Sequence, residues 1–249
     1  VTMLEILVVF CAVAVGSCMQ RVSGMGLGLL AAPVLAMLMG PVEGVMVVNL
    51  LATINAVLTT FTVKHYVDWK AFGAIASVLW LGALPAVLLI NHMPGAWLQL
   101  IVGALLLIAL GGVVFGARHL PAIRGTIPML AAGTVGGFMN TLAGVAGPAI
   151  TVYAQASGWE QRSFAATLQP IFVVAGLVSF CAKLLGGSGG VANTSAWVWA
   201  AGIAAMMIGI ALGGKLATKI SRESARKAAL ACAFAGGATV TVRGILGIF

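Results

Sequence analysis

Charge is what this chain has least of. Asp, Glu, Lys and Arg make up 7% of its 249 residues, against about 25% in a soluble domain. So little charge cannot clothe a water-facing surface at this length, and lipid must solvate the chain. Acids are scarcest of all. Glu5, Glu43, Asp68, Glu160 and Glu223 stand at or near the ends of apolar runs, as do His65, His92 and His119. No carboxylate is placed for a proton or sodium relay inside a bilayer. Metal-ligand spacing is also missing: there is no CxxC and no Cys/His cluster. Cys11, Cys18, Cys181 and Cys232 fall inside apolar runs, where cysteine behaves as a small hydrophobe, and disulfides are not expected. GxSxG, HExxH and paired carboxylates are absent, and Gly213-Gly214-Lys215 lacks the upstream glycine of a P-loop. No catalytic residue, metal or cofactor is expected.

What is present is apolar. Hydrophobic residues are 61% of the chain, Gly contributes 33 residues, and the mean hydropathy is +1.14. High glycine suits closely packed transmembrane helices. The net charge of +8 would suggest nucleic acid in a soluble protein. Here the basic residues are scattered between apolar runs, which points to cytoplasmic loops and away from nucleic acid. The class is therefore all-α, a polytopic integral membrane protein in one transmembrane domain over 1–249. Ten apolar runs are expected: 3–22, 27–39, 44–63, 70–90, 96–116, 126–141, 147–157, 163–183, 196–214 and 227–248. The first has no basic stretch before it and has a counterpart in mid-chain, so it is expected to be mature protein and not a cleaved leader. Trp69, Trp97, Trp159, Trp197 and Trp199 fall near run ends and read as interface anchors.

A full span needs about 20 residues. The runs 27–39, 126–141 and 147–157 are shorter and read as half-helices meeting at breaks. The breaks are Ser23-Gly24-Met25-Gly26-Leu27-Gly28 and Ala143-Gly144-Val145-Ala146-Gly147-Pro148, and the segments leading into them align as Gly16–Gly24 with Gly136–Gly144. Paired interrupted segments in two halves are a sequence pointer to a transporter's binding site. The expected architecture is two inverted repeats, 1–116 and 126–249, each a broken-helix hairpin plus three spanning helices. Loops 64–70, 117–125, 158–162 and 215–226 then share one face. That face collects Lys64, Lys70, Arg118, Arg124, Arg162, Lys215, Lys219, Arg222, Arg226 and Lys227, leaving Lys183 and Arg243 at helix ends on the other. The positive-inside rule makes the first face cytoplasmic and puts both termini outside. The setting is the inner membrane. A plain eight-span reading splits the basic loops and is rejected.

A half-helix that starts inside the bilayer presents unpaired N–H groups and the positive end of its dipole, which together make an anion site. Gly24, Gly26 and Gly28 keep the first break open and Ser23 could cap it. Gly144 and Gly147 admit a ligand to the second, and Pro148 sits where its missing N–H costs nothing. The alternative reading of these glycines is tight helix crossing, the role expected of Gly112/Gly116 and Gly209/Gly213. Arg21 has two readings as well: a buried cation awaiting an anion, or a side chain snorkelling to the cytoplasmic interface. Asn140, Thr141 and Gln169 are secondary polar contacts. Gln20 aligns with Asn140 and Asn49 with Thr167, in positions that could line a polar path or join helices. Gln169-Pro170 is expected to kink its helix.

Together with Pro33, Gly40-Pro41, Val48–Thr53, Val67-Asp68-Trp69-Lys70 and Ala165–Thr167, these breaks resemble the sulfite exporter TauE/SafE family of membrane permeases across essentially the whole chain. The resemblance implies a carrier of a small sulfur-containing anion such as sulfite or an organosulfonate. The chain departs from the family's Gly-Ile-Gly-Gly-Gly run, having Gly24-Met25-Gly26-Leu27-Gly28. An anion leaving a negative-inside cell gains about 2.3 kcal/mol per charge per 100 mV, so export needs no coupling ion, and the missing carboxylates lean that way. The reading is a permease working by alternating access, with the anion and lipid as partners and room left for a homo-oligomer. The alternatives are an anion channel or a membrane-embedded sulfur-relay enzyme, in which Cys18 near Arg21 would be the thiolate.

Overall fold

The computed structural model describes residues 2–24, 26–119, 123–192 and 194–248, without the side chains of 115–119 and 222. The Arg118 and Arg222 side chains and part of loop 117–125 thus lie outside the described residues. Every regular element described is a helix: α1 (Met3–Ser23), α2 (Leu27–Met39), α3 (Glu43–Val63), a 3₁₀ turn (Lys64–Tyr66), α4 (Trp69–Ala76), α5 (Leu79–His92), α6 (Gly95–His119), α7 (Thr126–Ala143), α8 (Gly147–Ser157), α9 (Gln161–Leu185), α10 (Ala196–Leu216) and α11 (Arg222–Leu246). Among the described residues seven stretches are long and apolar enough to cross a bilayer: Met3–Ser23, Glu43–Tyr66, Trp69–His92, Gly95–Val114, Gln161–Leu185, Ala196–Leu216 and Glu223–Leu246. The chain is a multi-pass membrane protein.

The packing is reciprocal between the halves. α1 packs on α10 as α7 packs on α5, and α2 on α11 as α8 on α6. Glycine permits the close approaches: Gly209 and Gly213 of α10 sit on the Ala14 and Cys18 backbone of α1, and Gly133 and Gly137 of α7 on Ile75 and Leu79. Two further pairs, α3 with α9 and α6 with α11, run antiparallel. Gly176 meets Asn49 and Thr53 while Tyr66 meets Arg162, and Gly103 meets Thr241 while Gly247 meets Ala96.

One expectation is revised. The run 70–90 forms two helices, not one, with a turn at Ser77-Val78 where Gly133 of α7 meets Ile75 and Val78. Pro170 lies inside α9, which continues through it, and the Gln169 side-chain amide donates to the Ala165 carbonyl within that turn. Trp69, Trp97 and Trp197 are exposed as expected of anchors, whereas Trp159 and Trp199 pack partly buried on the core.

The loops sort by end. One surface recess joins Asp68, Lys70, Arg124, Ser157 and Trp159, and another joins Gln161, Glu223 and Arg226 to Ser23. Loops 64–70, 123–125, 157–162 and 221–226 therefore meet at one basic end. At the opposite end the Asn91 side chain donates to the Gly186 carbonyl, Gly189 touches Val42, and Arg243 donates to the Met37 carbonyl.

Candidate functional site

Both breaks are built by the same backbone device. α1 ends at Gly24 with φ +85°, its N–H donating to the Gln20 carbonyl at 2.8 Å. α7 ends at Gly144 with φ +70°, its N–H donating to the Asn140 carbonyl at 2.9 Å. Left-handed residues close helices, and only glycine takes that conformation without a Cβ penalty. The chain then turns and starts a second helix, α2 or α8. Neither start has a side-chain cap. Their first N–H groups have no intrahelical acceptor, apart from that of Leu27, which donates to Gln20 Oε1 at 3.2 Å.

The two starts meet. A Cβ at Gly28 would run into the Gly144 carbonyl oxygen, and Gly144 packs on Ala32, Val45 and Val48. Between them lies a small cavity of about 30 Å³, lined by Gly26, Gly28, Leu29 and Gln20 from the first half and by Asn140, Gly144 and Gly147 from the second, with Asn49 on α3. Such a volume holds about two waters.

Two amide pairs frame it. Gln20 Nε2 donates to Gln169 Oε1 at 3.2 Å, and Gln169 Nε2 donates to the Gly24 carbonyl at 3.0 Å. On the other side Asn140 Nδ2 donates to Asn49 Oδ1 at 3.4 Å and to the Ala175 carbonyl at 2.9 Å, while Asn49 Nδ2 donates to Ser179 Oγ at 2.7 Å. All four amides are buried. With a shift of 120 residues the pairs exchange: Gln20 falls on Asn140, and Asn49 on Gln169. The alignment of Asn49 with Thr167 expected above is thus two residues out of step with the contacts. Thr167 instead accepts the Asp68 N–H at the start of α4.

Beyond the glutamine pair, towards the basic end, lies a second pocket of about 120 Å³. Arg21, Gly24, Thr59, Tyr66, Arg162 and Gln169 line it. The Arg21 guanidinium donates to Thr62 at the end of α3, and the Arg162 guanidinium stacks 3.6 Å over the Tyr66 ring, a cation–π contact. Two fixed guanidinium groups beside an uncharged wall make an anion-attracting vestibule.

The expected site residues thus divide. Gly26, Gly28, Asn140, Gly144 and Gly147 line the central cavity, while Arg21, Ser23, Gly24 and Gln169 line the vestibule. Ser23 does not cap α2: the cap position is Gly26, and the Ser23 hydroxyl donates to the Met19 carbonyl. Thr141 is buried and donates back to the Gly137 carbonyl, and Pro148 faces a membrane-side groove with Val152 and Leu105. Sequence reading passed over Arg162 and Tyr66, since a basic residue in a loop reads as an orientation signal. Gln20 and Asn49 were visible as polar residues in apolar runs, with no signal for their partners. Lys183, expected at a helix end, is fully buried.

No curated protein and no solved structure matches the chain. The family model for Sulfite exporter TauE/SafE matches residues 8–240. The chain, whose two helix breaks meet at one cavity, therefore belongs to the sulfite exporter TauE/SafE family of membrane permeases.

Proposed function

We propose that the chain exports a small sulfur oxyanion, sulfite or an organosulfonate, by alternating access. One observation carries this reading: the starts of α2 and α8, neither with a capping side chain at its N-cap residue, line one cavity. Two positive dipole ends aimed at one point favour an anion there, and discontinuous helices at a repeat interface are how many carriers build such a point. Inversion of the repeats is supported by the antiparallel run of α3 with α9 and of α6 with α11, as an in-plane two-fold axis requires. The gathering of basic loops at one end supports a cytoplasmic assignment for it. In this form the vestibule faces that end and the glutamine pair stands between vestibule and cavity. Opening that pair, and later the asparagine pair, would expose the cavity to each side in turn.

The test is sulfite flux into proteoliposomes under imposed potassium-diffusion potentials. Saturable flux, counterflow and acceleration by an inside-positive potential are expected. Flux without saturation or counterflow would indicate a channel, chemical change of the anion an enzyme. Flux blind to voltage but driven by a pH gradient would overturn uncoupled export.

A further inference from the structure

The site has a cation on its sealed side. Lys183, in the last turn of α9, is completely buried, and its Nζ has no hydrogen-bond partner. Among the described residues the one ion pair joins Glu223 to Lys227. Glu5 is engaged in the cap of α1, Asp68 in that of α4 and Glu160 in that of α9 at its far end. Glu43, which opens α3, makes no ion pair with it. An ammonium sealed in protein without a counter-charge is costly, and a long amine is a poor choice for filling space.

Its position is informative. Ser179 lies one turn before Lys183 on the same helix face, and Ser179 accepts the Asn49 amide that lines the central cavity. One turn further on, Gly186 packs against Val87 and the loop beyond reaches Val42. Lys183 therefore stands between the cavity's polar network and the loops of the end opposite the basic one. Under the 120-residue shift Lys183 falls on Val63 and Ser179 on Thr59. Val63 and Thr59 line the vestibule of Arg21 and Arg162. The region that mirrors the vestibule thus carries a cation of its own, at the position that is Val63 in the first half, with no exposed surface in this form.

We propose that Lys183 is an anion-binding group of the extracytoplasmic half of the path, exposed when that side opens and receiving the oxyanion from the central cavity. The proposal rests on the transport reading above and adds a residue to it. The test uses proteoliposomes holding the protein in one orientation, with sulfite exchange titrated from each face for wild type and K183M. Loss of one charge-assisted hydrogen bond is expected to raise the half-saturating concentration at the extracytoplasmic face about tenfold, well beyond any rise at the basic face. Methionine is unbranched, one heavy atom shorter, and removes no hydrogen bond, so K183M should unfold at or above the wild-type temperature. A K183M that fails to fold would contradict the unbonded amine and overturn the proposal. So would equal half-saturation changes at both faces, or none. Wild-type vesicles that exchange no sulfite would sink the transport reading and this proposal together, whereas an active wild type matched by K183M would sink the Lys183 proposal alone.

Discussion

The two breaks share a backbone and differ in what seals them. The first, at Gly24, is held by two glutamines and borders a vestibule with two arginines, one of them over the partly exposed ring of Tyr66. The second, at Gly144, is held by two asparagines, and beyond it lie Ser179 and Lys183, both with no exposed surface. Under the 120-residue shift the amides match, Gln20 with Asn140 and Asn49 with Gln169, as do the hydroxyls of Thr59 and Ser179, and all are buried, whereas Lys183 falls on the apolar Val63.

That comparison can be broken in three ways. The largest effect is expected where the breaks touch. Gly28→Ala drives a Cβ into the Gly144 carbonyl, and overpacking of this kind costs about 1–3 kcal/mol. Thermal unfolding should show a loss of stability for G28A and none for G73A, since a Cβ at Gly73 meets nothing within 4 Å. Equal unfolding temperatures would mean the breaks do not press together.

Next come the amide pairs. Asn49→Ala removes two buried hydrogen bonds, from the Asn140 amide and to the Ser179 hydroxyl, which keep the Ala175 and Asn140 carbonyls as partners, for about 1–3 kcal/mol in all. Gln169→Ala strands the Gly24 carbonyl and the Gln20 amide beside a vestibule that water can enter, so a cost nearer 0.5–1.5 kcal/mol is expected. Unfolding of both variants ranks them. The reverse order would place the open side at the asparagines.

The smallest effect belongs to the vestibule arginines. Arg21→Ala is expected to raise the half-saturating sulfite concentration at the basic face by up to about fivefold, in line with the roughly 1 kcal/mol of a solvent-screened charge, and less at high salt. An unchanged value at low salt would reduce Arg21 to an interface anchor.

Helix limits marked by glycine and proline were readable before any coordinates. The expected runs 27–39 and 147–157 coincide with α2 and α8, because those residues restrict the backbone itself. The turn at Ser77-Val78 carries no such punctuation and depends on where α7 packs. The crossing of Gln20 with Gln169, and of Asn140 with Asn49, joins residues more than ninety positions apart, and hydropathy says nothing of partners. Lys183 stands at a helix end as expected, but its burial was not legible, because a lysine there ordinarily reaches water. The packing of α9 against its neighbours denies it that.

The central claim is that an anion sits between the starts of α2 and α8. Selenite, a heavier congener of sulfite, makes that observable by anomalous diffraction from crystals grown with it. One strong peak is expected about 4 Å from the Gly28 and Gly147 amide nitrogens, the selenite oxygens standing between at hydrogen-bond distance, weakened by competing sulfite. Ordered selenite found at the protein surface alone, with none between the two helix starts, would contradict it.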